Sequence, residues 1–286
     1  IGIMNNAIVT SGVGNSFSLM IAQWSQGSLV LAIALIGLAS LVLGMGLPVT
    51  AAYIILAILT APALAGLMAD GVIVEQLMAG ISDPARSGLF LLVDHPLAAQ
   101  VASGMSKAEA WELVRNIPFE IAVTIRPVMV DPTLQTTYLL TAHLIIFWLS
   151  QDSNVTPPVC LAAFTAAAIA GSRPMATGFE SWKIAKGLYV VPLLFAYTPL
   201  ISGDFIEVIQ IGFFALFGIY ATNALIQWYA EGPIGVVATG ALVLGAIGAY
   251  WPLAWLPNIA GSLLIVTVIV SSSKRRSQEH LRDTQC

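Results

Sequence analysis

The chain has 286 residues, of which 58% are hydrophobic and 9% are charged, against about 45 to 50% and about 25% in an average soluble domain. This composition nearly excludes a water-soluble fold. The net charge of −4 leaves no basic excess to attract nucleic acid, which we therefore do not expect as a partner. Two cysteines, Cys160 and Cys286, are too few for a disulfide framework or a four-ligand zinc site.

Residues 1–72 are predicted to be membrane segments, because no charged side chain precedes Asp70. A membrane span needs about 20 apolar residues, and the stretch from Ser28 to Ala69 divides into two spans at Gly44–Pro48. The chain opens at Ile1 in an apolar segment without a charged leader, which is not a signal peptide. This beginning suggests a piece of a longer protein.

The sequence GMGLPVT, residues 44–50, interrupts the apolar stretch with two glycines and a proline. These residues weaken or break helical hydrogen bonding. Irregular backbone inside a membrane is tolerated where it lines a cavity, and its free carbonyls can bind a hard cation. A simple turn at the membrane surface is the alternative, and spacing alone does not decide between them.

Residues 73–138 carry many of the charges and five prolines, and we expect them to form a polar insert outside the membrane. Ser106 and Glu109 have the spacing of a capping box, which predicts a short amphipathic helix near Ser106–Ile117. Asp94 and His95 have no further His or Cys at ligand spacing, so a surface loop is the favoured interpretation there.

Residues 139–171 are predicted to form a re-entrant hairpin and the helix that follows it. Two short apolar segments, Leu139–Ser150 and Val155–Gly171, flank the polar run QDSN. Pro157 and Pro158 lack amide donors and leave carbonyls unpaired, while Thr156 can cap the following helix, with the prolines in its first turn. The oxygens suit a cation, and the helix end suits an anionic substrate. An ordinary capped loop is the alternative.

Residues 172–273 are predicted to supply further transmembrane helices at Lys186–Ser202, Phe205–Tyr229, Gly235–Tyr250 and Pro252–Val270, giving at least six spans in all. Basic residues cluster before these spans, at Arg173–Lys186, and after them, in the tail 274–286. Four spans separate the clusters, so both lie on the cytoplasmic side by the positive-inside rule. The tail is either simply solvated or in contact with membrane lipid headgroups.

The chain is not expected to be an enzyme. Its three histidines, His95, His143 and His280, accompany no hydrolase or metalloprotease motif. Neither is a passive channel favoured, because no repeated ring of charges or pore signature is present.

Several segments resemble the fused permease, or large membrane subunit, of tripartite ATP-independent periplasmic (TRAP) transporters. They are GMGLPVTAAY at 44–53, APAL at 61–64, AHLIIFWLSQDSNVTPPVCLAAFTAAAIAG at 142–171 and WKIAKGLYVVPLLFAYTP at 182–199. These segments occur in the order found in the family. The resemblance covers nearly all of the chain outside residues 73–138.

The resemblance implies a multi-pass secondary transporter of the bacterial inner membrane, with a cytoplasmic C-terminus. Such a transporter takes up small organic acids, delivered by a periplasmic solute-binding protein and driven by an ion gradient, usually Na+, without a cofactor. The implied fold is all-α: the second inverted repeat of an elevator-type transporter with a re-entrant helical hairpin, plus extra C-terminal transmembrane helices.

Matched position by position, the resemblance implies that two groups of residues line the ion and substrate region. The first is Gly44, Met45, Gly46, Pro48 and Thr50, and the second is Asp152, Ser153, Asn154, Thr156 and Pro157. From oxygen chemistry, Asp152, Asn154 and Thr156 are our candidate Na+ ligands. Coupling to H+ through Asp152 stays open, since this carboxyl group could titrate.

Two departures from the family pattern limit the functional expectation. The insert at 73–138 replaces a short connection, and the N-terminal repeat and the small-subunit helices that normally precede this region are missing from the sequence. The alternative to a working permease is therefore a transport-inactive membrane fragment or a scaffold subunit.

Overall fold

The structure is a computed structural model that describes residues 2–45 and 47–283. Within these residues the chain folds into fourteen α-helices joined by turns and four short 3-10 helices, and it contains no β-strand. The described chain divides into two compact units between Ser150 and Gln151. The prediction of an all-α protein is confirmed.

The first unit contains eight helices within the described residues. They are α1 (Gly2–Ser11), α2 (Val13–Ser25), α3 (Leu29–Gly44), α4 (Val49–Ala79), α5 (Pro84–Gly88), α6 (Lys107–Arg115), α7 (Phe119–Met129) and α8 (Pro132–Gln151), whose last residue lies at the unit boundary. Two 3-10 helices, Leu89–Leu92 and Pro96–Gln100, lie between α5 and α6. The long helix α4 is the centre of this unit, because α2, α3, α6 and α7 all pack on it.

The apolar stretch forms two helices, with a short connection at residues 45–48. Helix α3 ends at Gly44, and α4 begins directly after Pro48, whose carbonyl accepts hydrogen bonds from the amides of Ala51 (2.9 Å) and Ala52 (3.0 Å). Pro48 can precede a helix because the first turn needs no donor from it. Helix α4 continues to Ala79, past Ile73, where the sequence placed the start of the insert.

The segment from Ile73 to Tyr138 builds a hydrophobic core together with the end of α4. Phe90, Leu113 and Ile125 are fully buried in it, against Ile73 and Leu77 of α4. The predicted amphipathic helix and its capping box are both present in α6, where Ser106 and Glu109 exchange hydrogen bonds. The insert is therefore folded onto the first unit rather than being an extended loop.

The second unit contains six helices within the described residues. They are α9 (Leu161–Ala170), α10 (Pro174–Ile184), α11 (Val190–Tyr197), α12 (Phe205–Gln227), α13 (Val236–Ala249) and α14 (Trp255–Asp283). Helices α12, α13 and α14 pack on one another. Buried Asn258 of α14 donates to the carbonyls of Gly248, Ala249 and Trp251 at the end of α13, which supplies partners for carbonyl groups of a helix terminus.

Three helices of the described chain are long and apolar enough to cross a membrane, by length and composition: Val49–Ala79, Phe205–Gln227 and Trp255–Ser277. Three shorter apolar helices accompany them, at Leu29–Gly44, Leu161–Ala170 and Val236–Ala249. The expected count of at least six full-length spans is thus not reached by the described helices.

The segment predicted as a span at Lys186–Ser202 is not a single α-helix. This segment forms the end of a 3-10 helix, Ala185–Tyr189, and then α11, which has 8 residues. Gly187 of the 3-10 helix allows a close contact with α12, since its amide donates to the Asn223 side chain (3.0 Å) and a Cβ at this position would lie 2.7 Å from that side chain.

Candidate functional site

The second predicted motif, residues 151–158, lies where helix α8 ends. Gln151 is its last residue, Asp152–Asn154 form one turn of 3-10 helix, and α9 does not begin until Leu161. Pro157 and Pro158, joined by a cis peptide bond, lie in the irregular segment between them. A helical interruption with polar side chains is thus present where the sequence predicted one.

The start of the following helix differs from the prediction. Cys160, not Thr156, occupies the N-cap position of α9, and it makes no side-chain capping bond. Pro157 and Pro158 are therefore not in the first turn of that helix. The two consecutive prolines extend the irregular backbone instead, because neither can donate an amide hydrogen bond to begin a helical turn.

Asp152 is the central residue of this segment. Its side chain is buried, with 3% of the residue exposed, and the Tyr189 hydroxyl donates a hydrogen bond to Oδ2. None of the ion pairs among the described residues involves Asp152. A buried carboxylate is costly unless it is paired and fully hydrogen-bonded, so this acid is only partly compensated by the protein.

Three buried polar atoms, one in this carboxyl group and two on neighbouring side chains, make no hydrogen bond of normal geometry within the described chain. They are Oδ1 of Asp152, Oγ1 of Thr156 and Nε1 of Trp182. The Thr156 and Trp182 side chains both lie near the Tyr189 hydroxyl. Unpaired buried polar atoms are uncommon in folded proteins. This group therefore has the donor and acceptor chemistry of a binding site.

Helix α10 holds the irregular segment closely. A Cβ on Gly178 would lie 2.6 Å from the Cys160 sulfur and 3.4 Å from Pro157. Only a glycine lets the helix approach the chain to this distance. The remaining predicted residues of the motif are Ser153, which is buried, and Asn154, which is partly buried.

The first predicted motif lies in the first unit, in the short connection between α3 and α4. Gly44 is buried at the end of α3, whereas Met45, Pro48 and Thr50 are exposed. Gly46 lies outside the described residues. The two motifs belong to different compact units.

Sequence reasoning missed Tyr189 and Trp182. Both lie in the segment WKIAKGLYVVP, which carried part of the family resemblance but was assigned no role. Tyr189 ends a 3-10 helix 37 positions after Asp152. The available signal was the hydroxyl group of Tyr189 in an apolar segment, two residues after Gly187. This signal did not show that Tyr189 contacts Asp152.

Comparison with known proteins supplies the family. The model of the DctM component of tripartite ATP-independent periplasmic transporters matches residues 1–201, a range that includes both motifs and the insert. No curated protein and no solved structure matches the chain. The match covers more than two thirds of the chain and agrees with its long apolar helices. The chain is therefore a membrane protein that belongs to the DctM family, the large permease components of TRAP transporters.

Proposed function

We propose that this chain forms part of the membrane pathway of a TRAP transporter that takes up small organic acids from a periplasmic solute-binding protein, driven by a Na+ gradient. The family membership supports transport rather than catalysis. In this proposal the chain provides the second inverted repeat of an elevator-type permease in the bacterial inner membrane, with a cytoplasmic C-terminus. A first repeat and small-subunit helices complete the transporter.

A single observation carries the assignment of the ion. Oδ1 of Asp152 and Oγ1 of Thr156 are buried, make no hydrogen bond of normal geometry within the described chain, and lie in the 3-10 turn and irregular backbone between two α-helices. Hard cations prefer oxygen ligands of this kind, and broken helices carry the Na+ sites of other secondary transporters. A bound cation would supply the charge compensation that the described residues do not give Asp152.

The residues of the segment have separate roles in this mechanism. Asp152 and Thr156 hold Na+, and the partly buried Asn154 supplies a further amide oxygen. Tyr189 orients the carboxylate by donating to Oδ2, which leaves Oδ1 for the ion. Pro157 keeps the backbone non-helical, so that carbonyl oxygens remain accessible. The connection at residues 44–50, in the first unit, is a second proposed group of binding residues.

The test is Na+-dependent thermal stabilisation of the purified chain in an uncharged detergent. NaCl is compared with LiCl, KCl and choline chloride at equal ionic strength. A ligand that binds the folded state stabilises it by RT ln(1 + [L]/Kd), or about 2.7 kcal/mol at 100 times Kd. We expect a saturable increase in Tm with Na+, and we expect Asp152→Asn and Thr156→Val to abolish it.

Two matched variants control for the substitutions themselves. Thr165→Val removes a hydroxyl of α9 that is exposed and bonded only within its own helix, to the Leu161 carbonyl (2.9 Å). Asp94→Asn removes an exposed acid of the insert. Both controls should keep the Na+ response. If the wild type shows no Na+-selective shift, or if both site variants retain it, this ion site is refuted and the scaffold function gains support.

A further inference from the structure

The first unit contains a second candidate site, which shares no residue with the proposed Na+ site. A cavity of about 560 Å³ lies between α2, α4, α6 and α7. Its volume falls within the range of about 300 to 1,000 Å³ that is usual for small-molecule sites. The insert supplies α6 and α7, so this cavity exists because the insert packs on α4.

The charges that line this cavity favour an anion. Among its described lining residues Asp70 is the acid, and Arg115 and Arg126 are the bases. Asp70 is already neutralised, because its two carboxylate oxygens accept from Nε (2.9 Å) and Nη2 (2.8 Å) of Arg126. Arg115 has no acidic partner within 4.0 Å among the described residues. The lining therefore carries one excess positive charge.

Both guanidinium groups are held in place by close packing. Arg126 lies against the backbone of α4, where a Cβ on Gly66 would be 3.0 Å from Cζ and Nη1. Nη1 makes no hydrogen bond to the described chain. Arg115 lies over the Trp111 ring, 5.7 Å from its centroid, a favourable cation–π arrangement. Guanidinium groups match carboxylate and phosphate geometry better than any other side chain.

The rest of the cavity lining is largely apolar and also includes side-chain amide groups. Trp111, Leu19 and Leu67 offer apolar surface, and the side chains of Gln23 and Asn116 can donate hydrogen bonds. A ligand that fits this lining carries one anionic group and an apolar body. Inorganic anions would leave the apolar wall unused, whereas a neutral apolar compound would leave Arg115 without a counter-charge.

We propose that this cavity binds an amphiphilic monoanion, with its carboxylate or phosphate on Arg115 and on Nη1 of Arg126, and with its apolar part against Trp111. Two sources share this chemistry: a soluble organic acid and the headgroup of an anionic lipid. The proposal does not depend on the Na+ site, because every residue it uses lies in the first unit and the Na+ ligands lie in the second.

The experiment measures binding to the purified full chain in an uncharged detergent. Phenylacetate is the probe, and phenylacetamide is its neutral counterpart of nearly the same shape. We expect phenylacetate to raise Tm and phenylacetamide to leave it unchanged. Arg115→Gln should weaken phenylacetate binding about tenfold, as expected for the loss of a charge-assisted hydrogen bond. Asp152→Asn should leave this binding unchanged.

The matched control is Lys107→Gln, which removes one positive charge from the same helix but does not line the cavity. It should bind phenylacetate as the wild type does. Arg126→Lys serves as a second site variant. It keeps a cation beside Asp70, so the fold is preserved, but it loses the planar guanidinium and should also weaken binding.

A second arm identifies the source of the anion. Short-chain phosphatidylglycerol is compared with short-chain phosphatidylcholine in the same assay. A response to phosphatidylglycerol alone that Arg115→Gln abolishes supports a lipid headgroup, and a response to phenylacetate supports a soluble acid. The proposal is overturned if neither anion shifts Tm, if phenylacetamide acts as phenylacetate does, or if Arg115→Gln responds like the wild type.

Discussion

Asp70 and Asp152 are both buried acids in apolar surroundings, one in each compact unit, but their charges are compensated in different ways. Asp70 forms a bidentate ion pair with Arg126, so both of its oxygens are used. Asp152 receives one hydrogen bond, from Tyr189, and its Oδ1 has none within the described chain. The protein therefore satisfies both carboxylate oxygens of Asp70 but only one of Asp152.

This difference distinguishes a structural acid from a candidate ligand. A buried ion pair contributes little net stability, but removing one partner is strongly destabilising because the other charge is left uncompensated. A buried acid without a cationic partner, as Asp152 is among the described residues, already carries an uncompensated charge. Its cost is recovered when a cation binds, which makes the folded state responsive to that cation. The comparison therefore predicts opposite behaviour for substitutions at the two positions.

The largest expected effect is at Arg126. Arg126→Met leaves the Asp70 carboxylate buried and unpaired, and we expect it to lower the free energy of unfolding by about 3 to 5 kcal/mol. The double variant Asp70→Leu with Arg126→Met removes both charges and should recover most of this loss. Denaturant titration in detergent, followed by circular dichroism, measures the change. Arg173→Met, at an exposed arginine, is the control. A loss below about 1 kcal/mol for Arg126→Met would contradict the structural role of the pair.

A pair of isosteric changes tests the comparison directly in Na+-free buffer. Asp70→Asn leaves Arg126 without its counter-charge and should lower the free energy of unfolding by about 2 kcal/mol. Asp152→Asn removes an uncompensated carboxylate but keeps an acceptor for Tyr189, so it should leave stability unchanged or raise it. Thermal unfolding of both variants and the wild type shows whether each substitution lowers or raises the stability. Equal losses would show that Asp152 is as fully satisfied by the protein as Asp70.

The sequence predicted the interruption in the second unit because its signal is local. Consecutive prolines and a polar run inside an apolar stretch are visible without any tertiary contact. The start of the following helix was misplaced, since Thr156 has a good capping side chain and nothing local shows that the irregular backbone continues to Cys160. Local chemistry therefore located the break but not its full extent.

The partners of the buried acids could not be predicted, because they are distant in sequence. Asp70 and Arg126 are 56 positions apart, and Asp152 and Tyr189 are 37 positions apart. A single sequence records which residues are charged, but only the fold decides which of them meet.

A steric substitution perturbs the second unit without changing any charge. In Gly178→Ala the new methyl group would lie 2.6 Å from the Cys160 sulfur, and overpacking of this kind costs about 1 to 3 kcal/mol. The displaced segment carries Thr156 and follows Asp152, so the Na+-dependent increase in Tm should shrink as well. Cys160→Ala in the same chain removes the clash and should restore both quantities. If Gly178→Ala is as stable as the wild type, α10 does not constrain the segment.

The smallest expected effect concerns an exposed acid, Glu109, which extends the comparison to a carboxylate compensated by hydrogen bonds at the surface. The Ser106 hydroxyl (2.6 Å) and its backbone amide (2.9 Å) donate to Glu109, and they lower the pKa of this carboxyl group below its ordinary value. Because the folded-state pKa is the lower one, the stabilisation is fully present above about pH 4.3 and is lost as the pH falls through the folded-state pKa.

Ser106→Ala should therefore lower Tm slightly at pH 7, and the difference in Tm between this variant and the wild type should shrink in acid. Ser103→Ala is the matched control, because that exposed hydroxyl donates only to the Gln100 carbonyl (2.9 Å). A pH-independent difference for Ser106→Ala would mean that the helix cap, not the Glu109 charge, is what Ser106 stabilises.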